Sequence, residues 1–301
     1  MELKRVVSVS LGSSKRDHSV LTELLGQRIY IERIGVDGDI KRAENLLEQL
    51  DGRVSAIGLG GVNFNLQTGR YCFPLRDGIK LARRVKKTPL VDGSGLKSGE
   101  KRLISFLQKN YGWPRGGQRV LLTSALDRFG LGEALEKAGC RILVGDAIFA
   151  LGIPLPFYSL RLFELAALLT VPFLSCLPVK WLYPTGGKQL TTKKRFTRYY
   201  LWADIIAGDF HFLHRYLPEN LSGKDIITST VTKENKEELK FKGVRCLVTT
   251  GPSFEGRSFG ANVMEAVCVA LLGLSREELN PEKYPPLLDE LGWKPRVEYL
   301  N

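Results

Sequence analysis

The sequence predicts an α/β protein of two domains, the C-terminal one a Rossmann-like doubly wound sheet, with a cleft between them. Three observations carry this. The chain has 301 residues, enough for two hydrophobic cores. Short apolar runs alternate with helix-period segments along most of it, as in a parallel sheet covered by helices. Residues 118–146, QRVLLTSALDRFGLGEALEKAGCRILVGD, read as strand, glycine-containing turn, helix, strand and acid. That is the outline of a nucleotide-binding βαβ unit.

The first domain, residues 1–113, opens with a strand over 5–11, a polar turn over 12–18 and another strand over 27–34. A helix over 39–50 carries Ile40, Ala43, Leu46, Leu47 and Leu50 on one face. A buried strand over 54–59 empties into Gly60, Gly61, Val62 and Asn63. Alternation about Gly69 predicts a hairpin over 64–73. A helix over 75–85, a short strand over 89–92 and a helix over 99–109 complete this half. The breaker cluster GWPRGG at 112–117 sets the boundary.

The second domain, residues 114–301, begins with the strand at 118–123. Its following turn places Asp127 to cap a helix, and Gly139 ends that helix. Residues 147–183 are apolar, aromatic and broken by prolines. Arg161 and Glu164 within them argue against a membrane span, which needs about 20 largely apolar residues. A buried or interfacial helical pair is expected instead, a dimer contact or a membrane-surface patch being the alternatives. After a polar connection over 183–198, strands are expected over 204–208, 225–230 and 245–250, with a charged helix over 233–242. The last strand runs into a glycine loop over 251–260 and a helix over 261–272.

Composition sets bounds. Apolar residues at 44% and charged residues at 25% are those of an ordinary globular chain. The formal charge of +12 invites an anionic partner. No sustained basic helix or RNA-binding motif supports nucleic acid as that partner. Five cysteines lie singly with no C-x-x-C pair, and three histidines form no zinc pattern, so no metal is expected and a reducing cytoplasm fits.

Loops that follow strands converge at the carboxyl edge of a parallel sheet, where ligands bind. In the βαβ unit this makes Ser124, Gly130, Gly132, Asp146 and, in the last glycine loop, Gly251 the expected cofactor-binding residues. Backbone N–H groups near the glycines would hold a pyrophosphate and Asp146 a ribose diol, favouring NAD. In the first domain the same logic selects Ser13, Ser14, Lys15, His18, Asn63, Asp92 and Lys97, groups suited to a small polyhydroxy acid. Lys97 with Asp92 reads as an acid–base pair. Arg257 reads as a carboxylate or phosphate clamp, and His211 as a proton shuttle or a packing residue.

The segments LGSSKRDHS, GLGGVNFN, VDGSGLK, LLTSALDRFGLGEAL, WLYPTGGKQ, WADIIAGDFHF and TTGPSFEGRSFGANVMEA resemble a bacterial family of quinate 5-dehydrogenases, nearly end to end. The resemblance implies an N-terminal substrate domain, a C-terminal cofactor domain and interconversion of quinate and 3-dehydroquinate with a nicotinamide cofactor. It implies Lys97 and Asp92 as the groups acting on the substrate hydroxyl, and Ser13 and Ser14 as holders of the ring carboxylate. The chain departs from that pattern by lacking the usual serine motif and glycine fingerprint. Two rival readings stand beside it: a transferase or binding protein for a sugar nucleotide or phosphorylated ligand, and a non-catalytic protein docking through its apolar middle segment.

Overall fold

A computed structural model describes residues 3–69, 71–97, 99–182, 195–251 and 259–301. Two sheets organise it. The first is built from β1 (Lys4–Ser10), β2 (His18–Leu24), β3 (Gln27–Gly35), β4 (Ala56–Gly60) and, after a separate hairpin of β5 (Asn65–Thr68) and β6 (Tyr71–Pro74), β7 (Leu90–Val91). Its order is β2-β3-β1-β4-β7. The strands are parallel except β2, which pairs antiparallel with β3 at the edge. The second sheet contains β8 (Arg119–Leu122), β9 (Arg141–Val144), β10 (Ile205–Ala207), β11 (Asp225–Thr228), β12 (Cys246–Thr249) and β13 (Arg296–Tyr299). Its order is β13-β12-β11-β10-β8-β9, with β13 antiparallel at the edge.

The apolar runs form central strands because both faces of each sheet are covered. Val6, Val7 and Val9 of β1, and Val120, Leu121 and Leu122 of β8, have no exposed surface. The helices of the first half are α1 (Ile40–Leu50), α2 (Arg76–Ala82), α3 (Ser94–Lys97) and α4 (Glu100–Tyr111). Asp39 caps α1 by accepting from the Arg42 N–H at 3.0 Å. The second half adds α5 (Phe129–Lys137), α6 (Leu160–Leu174), α7 (Val179–Leu182), α8 (Thr197–Trp202), α9 (Phe210–His214), α10 (Lys233–Phe241), α11 (Ala261–Leu272) and α12 (Tyr284–Glu290).

The chain does not stay in its second half. α11 returns to the first sheet, where Val263, Met264, Val267 and Leu271 share a core with Val6, Ile29, Ile31 and Val91. Gly58 on β4 makes this approach close, since a Cβ there would lie 2.6 Å from the Asn262 carbonyl oxygen. β13 then crosses back to pair with β12. The architecture is thus two α/β lobes, each with its own core, facing one another across a cleft.

Some local expectations need correction. The polar turn at 12–18 ends sooner, because His18 already opens β2. Asp127 does not cap α5; Arg128 occupies that position without a side-chain cap bond, and the Asp127 carboxylate is used elsewhere. The proline-containing stretch after 272, for which no element is expected from sequence, contributes α12 and β13. The apolar middle segment forms α6 with one face buried through Phe163, Ala167 and Val171. Its other face leaves Leu162, Leu165, Leu169 and Phe173 exposed by 60%, 54%, 75% and 78%.

Candidate functional site

A parallel sheet opens a crevice where neighbouring strands lead their chains to opposite sides. In the first sheet that point lies at β1, flanked by β3 and β4; in the second it lies at β8, flanked by β9 and β10. Loops leaving these edges face each other and enclose a cavity of about 500 Å³. Its first wall is Ser10, Lys15 and Arg16 after β1, residues 60–63 after β4, and Asp92 and Lys97 after β7, together with Arg33 and His18. Its second wall is Asp127 and Arg128 after β8, Asp209 and His211 after β10, and residues 229–232 after β11. Phe259 and Asn262 close one end.

On the second wall, charge is matched. Asp127 Oδ1 accepts from Lys97 Nζ at 2.6 Å and from Asn63 Nδ2 at 2.5 Å, joining the two lobes. Burial opposes ionisation of Asp127, but Lys97, Arg128 and Asn63 outweigh it and hold the carboxyl down at about 2. Arg128 pairs with Glu100, both almost fully buried. The Asp209 backbone N–H donates to Ser124 Oγ at 3.1 Å, and its carboxylate accepts from the His211 N–H at 2.9 Å to cap α9.

On the first wall it is not. Arg33 is fixed by donating to Ser13 O at 3.0 Å, Asp17 Oδ1 at 2.7 Å and Ser10 Oγ at 3.0 Å. Burial and then repulsion by Arg16 lower it to about 10. Among the described residues the Arg16 guanidinium has one hydrogen-bond partner, His211 Nε2 across the cleft, and no carboxylate at ion-pair distance. His211 is held neutral, its pKa pushed well below the ordinary range by burial and then by Arg16 and Arg33. His18 stacks on Phe259, with centroids 5.3 Å apart, and its buried Nε2 has no partner among the described residues.

The sequence-predicted residues divide sharply. Asn63, Asp92 and Lys97 all line the cavity. Asp92 and Lys97 are not a pair, however. Asp92 latches its own loop by accepting from the Phe64 N–H at 2.6 Å and the Ser94 N–H at 3.0 Å, whereas Lys97 is bound to Asp127. Ser13 and Ser14 form a short turn and do not line the cavity: Ser13 Oγ accepts from the Lys15 N–H at 3.3 Å, and the Ser14 N–H donates to Asp37 at 2.9 Å. Gly251 lies two residues beyond the end of β12, outside the lining. Arg257 lies outside the described residues.

The expected NAD site is corrected outright, for a steric and a bonding reason. Gly130 and Gly132 lie within α5. A Cβ at Gly132 would meet Leu122 Cδ2 at 2.8 Å and Leu160 Cδ2 at 3.0 Å, so this glycine serves helix-to-strand packing. The Asp146 carboxylate is buried and turned inward, accepting from the Ala125 N–H at 2.6 Å and the Leu126 N–H at 2.9 Å. It thereby fills the amide positions that would have met a pyrophosphate and offers nothing to a ribose. Ser124 is spent on Asp209. Sequence reasoning missed Arg16 and Arg33 as site residues. The available signal was a charged residue near the carboxyl end of a strand, a position that points toward a crevice.

Residues 96–300 match the family model described as Domain of unknown function (DUF8754), and residues 5–92 match Domain of unknown function (DUF8753). The chain belongs to the DUF8754 family. No curated protein matches it. Solved structures of similar layout include a Mycobacterium smegmatis protein in complex with β-D-fucofuranose, at 10% identity, covering 99% of this chain and 91% of that one, TM-score 0.34. A carbohydrate transporter solute-binding protein from Agrobacterium radiobacter with D-arabinose shares 11%, covering 99% and 95%, TM-score 0.36. GanP, a glucose-galactose binding protein from Geobacillus stearothermophilus, shares 10%, covering 100% and 98%, TM-score 0.39. TM-scores this low transfer neither ligand nor role.

These findings correct the family and activity expected from sequence. The matched family models are described as domains of unknown function, not as quinate or shikimate dehydrogenases, and the expected NAD-binding turn is filled by the protein's own groups. The dehydrogenase activity on quinate, the Lys97–Asp92 acid–base pair and the NAD cofactor are withdrawn. The expected cytoplasmic placement is withdrawn with the activity to which it was attached.

Proposed function

We propose that the protein binds a small polar molecule, of the size of a sugar or sugar derivative, in the cleft between its lobes. The observation that carries this is the cavity of about 500 Å³ at the facing crevices of two sheets, lined by hydrogen-bonding and charged side chains. That volume is typical of a small-molecule site. Asn63, Asp92 and Lys97 belong to its wall as binding or positioning groups. The working units in this reading are the lobe of residues 1–113, completed by the returning α11, and the lobe of residues 114–301. The test is thermal denaturation of the full-length protein with a panel of monosaccharides, uronates, hexose phosphates and sugar nucleotides. At least one class raises Tm in a concentration-dependent way; no response from any class overturns the reading.

A second copy of the chain is the partner proposed for the outer face of α6. Leu162, Leu165, Leu169 and Phe173 recur three and four residues apart with no charge among them, and such a stripe is self-complementary about a twofold axis. Trp181 and Tyr158, both exposed by more than 60%, widen it. Sedimentation of wild type against Leu169→Glu tests this: a dimer that becomes a monomer supports it, and a wild-type monomer at high concentration refutes it.

A further inference from the structure

We propose that the first-lobe end of the cleft, formed by Arg16, Arg33 and His18, seats an anionic group, a carboxylate or a phosphate monoester, carried by the bound ligand. This rests on the cleft-binding reading and adds the charge of the ligand to it.

Three independent features converge on that spot. Arg33 is a guanidinium with 13% of its side chain exposed, held rigid by bonds to Ser13, Asp17 and Ser10. A cation anchored in this way is pre-organised, so little conformational freedom is lost when an anion arrives. Arg16 reaches the same cavity with only a neutral imidazole for a partner. Removing a guanidinium from water costs energy that only an anion or strong acceptors repay. The third feature is the buried Nε2 of His18, aimed at no protein acceptor or donor among the described residues. Its ring stacks on Phe259.

The surrounding charges leave this end positive. From the first lobe, Lys15 adds a further cation at the rim. Asp17 is bound to Arg33 and Gly35, and Asp37 lies exposed on the far side of the Ser14 turn. From the second lobe, Asp209 attracts Arg16 only at a distance, while its own carboxylate caps α9. Asp127 is taken by Lys97 and Asn63, Glu238 by His214, and Glu234 sits in the first turn of α10 with contacts of its own. Two guanidinium groups therefore face one cavity, and among the described residues the carboxylate at ion-pair distance from either is that of Asp17, on Arg33. An oxyanion bridging them satisfies Arg16, relieves the Arg16–Arg33 repulsion and accepts from His18 in its Nε2–H tautomer.

The test is calorimetric titration of the full-length protein with D-glucose, D-glucuronate, D-glucose 6-phosphate, D-galactose, D-galacturonate and D-galactose 6-phosphate, with inorganic phosphate and acetate as bare anions. The expected result is at least tenfold tighter binding of one anionic member than of its neutral parent. The uronate and phosphate arms identify which oxyanion fits. In Arg16→Met the anionic-to-neutral affinity ratio falls toward one, and Arg16→Lys restores part of it. Higher salt lowers the ratio in wild type. Neutral sugars binding as tightly as their anionic partners, or a ratio unmoved in Arg16→Met, overturns the anion seat and leaves the cleft reading standing. Silence from every sugar and both bare anions overturns both.

Discussion

The two walls of the cleft are built from the same kind of unit, a loop leaving the carboxyl edge of a parallel strand, yet they treat charge in opposite ways. After β8 and β9 the charged groups meet partners: Asp127 with Lys97 and Asn63, Arg128 with Glu100, Asp146 with two backbone N–H groups. After β1, Arg16 meets only a neutral histidine, and His18 keeps a buried nitrogen without a partner among the described residues. Buried polar groups without partners destabilise a fold unless something else supplies the bond. Arg128 Nε and Glu100 Oε2 on the second wall also lack hydrogen-bond partners among the described residues, but their charges cancel. The charge-matched wall is therefore read as structure, and the wall where Arg16 has no carboxylate as the place left for a ligand.

The largest effect that can break this comparison comes from the matched wall. Arg128→Met leaves the buried Glu100 carboxylate without its cation and costs about 3–5 kcal/mol, measured by urea denaturation. A loss under ~1 kcal/mol would mean that the second wall is not held by paired charge.

A pH profile sharpens the contrast next. Glu265 on α11 is buried and accepts from the Gly93 N–H at 2.7 Å, just beneath the Asp92 loop. Burial, then repulsion from Asp92, raises it to about 7 from its ordinary value of 4.5. A raised carboxyl binds its proton more tightly in the folded state. Its stabilisation is thus complete below pH 4.5 and is lost as pH rises toward 7, on the order of 3 kcal/mol across that window. Asp127 has the opposite sign: held down at about 2, it contributes stability above its ordinary value of 3.8, lost as pH falls toward 2. Denaturant midpoints taken from pH 4 to 8 check the first effect, which Glu265→Gln should flatten. An unchanged slope in that variant would reject the assignment.

A smaller effect concerns the glycine once expected to meet a phosphate. Gly132→Ala pushes a methyl group into Leu122 and Leu160 and costs about 1–2 kcal/mol by overpacking, with no change in the affinity of any cleft ligand. Smallest of all, Arg16→Met changes stability by less than ~1 kcal/mol, because it removes a desolvated cation with no carboxylate partner. A loss comparable with that of Arg128→Met would show that Arg16 is a structural latch.

Much of the fold was legible because its signals are local. The run VVSVSL has to be covered on both faces wherever it lies, and the face of Ile40, Ala43 and Leu47 has to meet a sheet. The site was less legible, since partner choice is not local. Nothing near Gly132 reveals that Leu160, almost thirty positions on, fills the space a diphosphate would need. Nothing near Asp146 shows its carboxylate folding back onto Ala125 and Leu126 instead of facing outward. The sequence places Arg33 only inside an expected strand over 27–34; the placement of β3 between β2 and β1 brings it to Ser10 and the cavity. Asn63, Asp92 and Lys97 were findable because residues just after strands must lie at the carboxyl edge, whatever they bond there.

The most direct test of the account is amide hydrogen exchange of the full-length protein with and without the tightest-binding member of the sugar and sugar-acid panel. The account predicts slowed exchange over residues 12–18, 60–63 and 209–214, the segments that face each other across the cleft, and no change over residues 129–137 of α5, which do not line it. Protection confined to 129–137, or protection by NAD there, would contradict it.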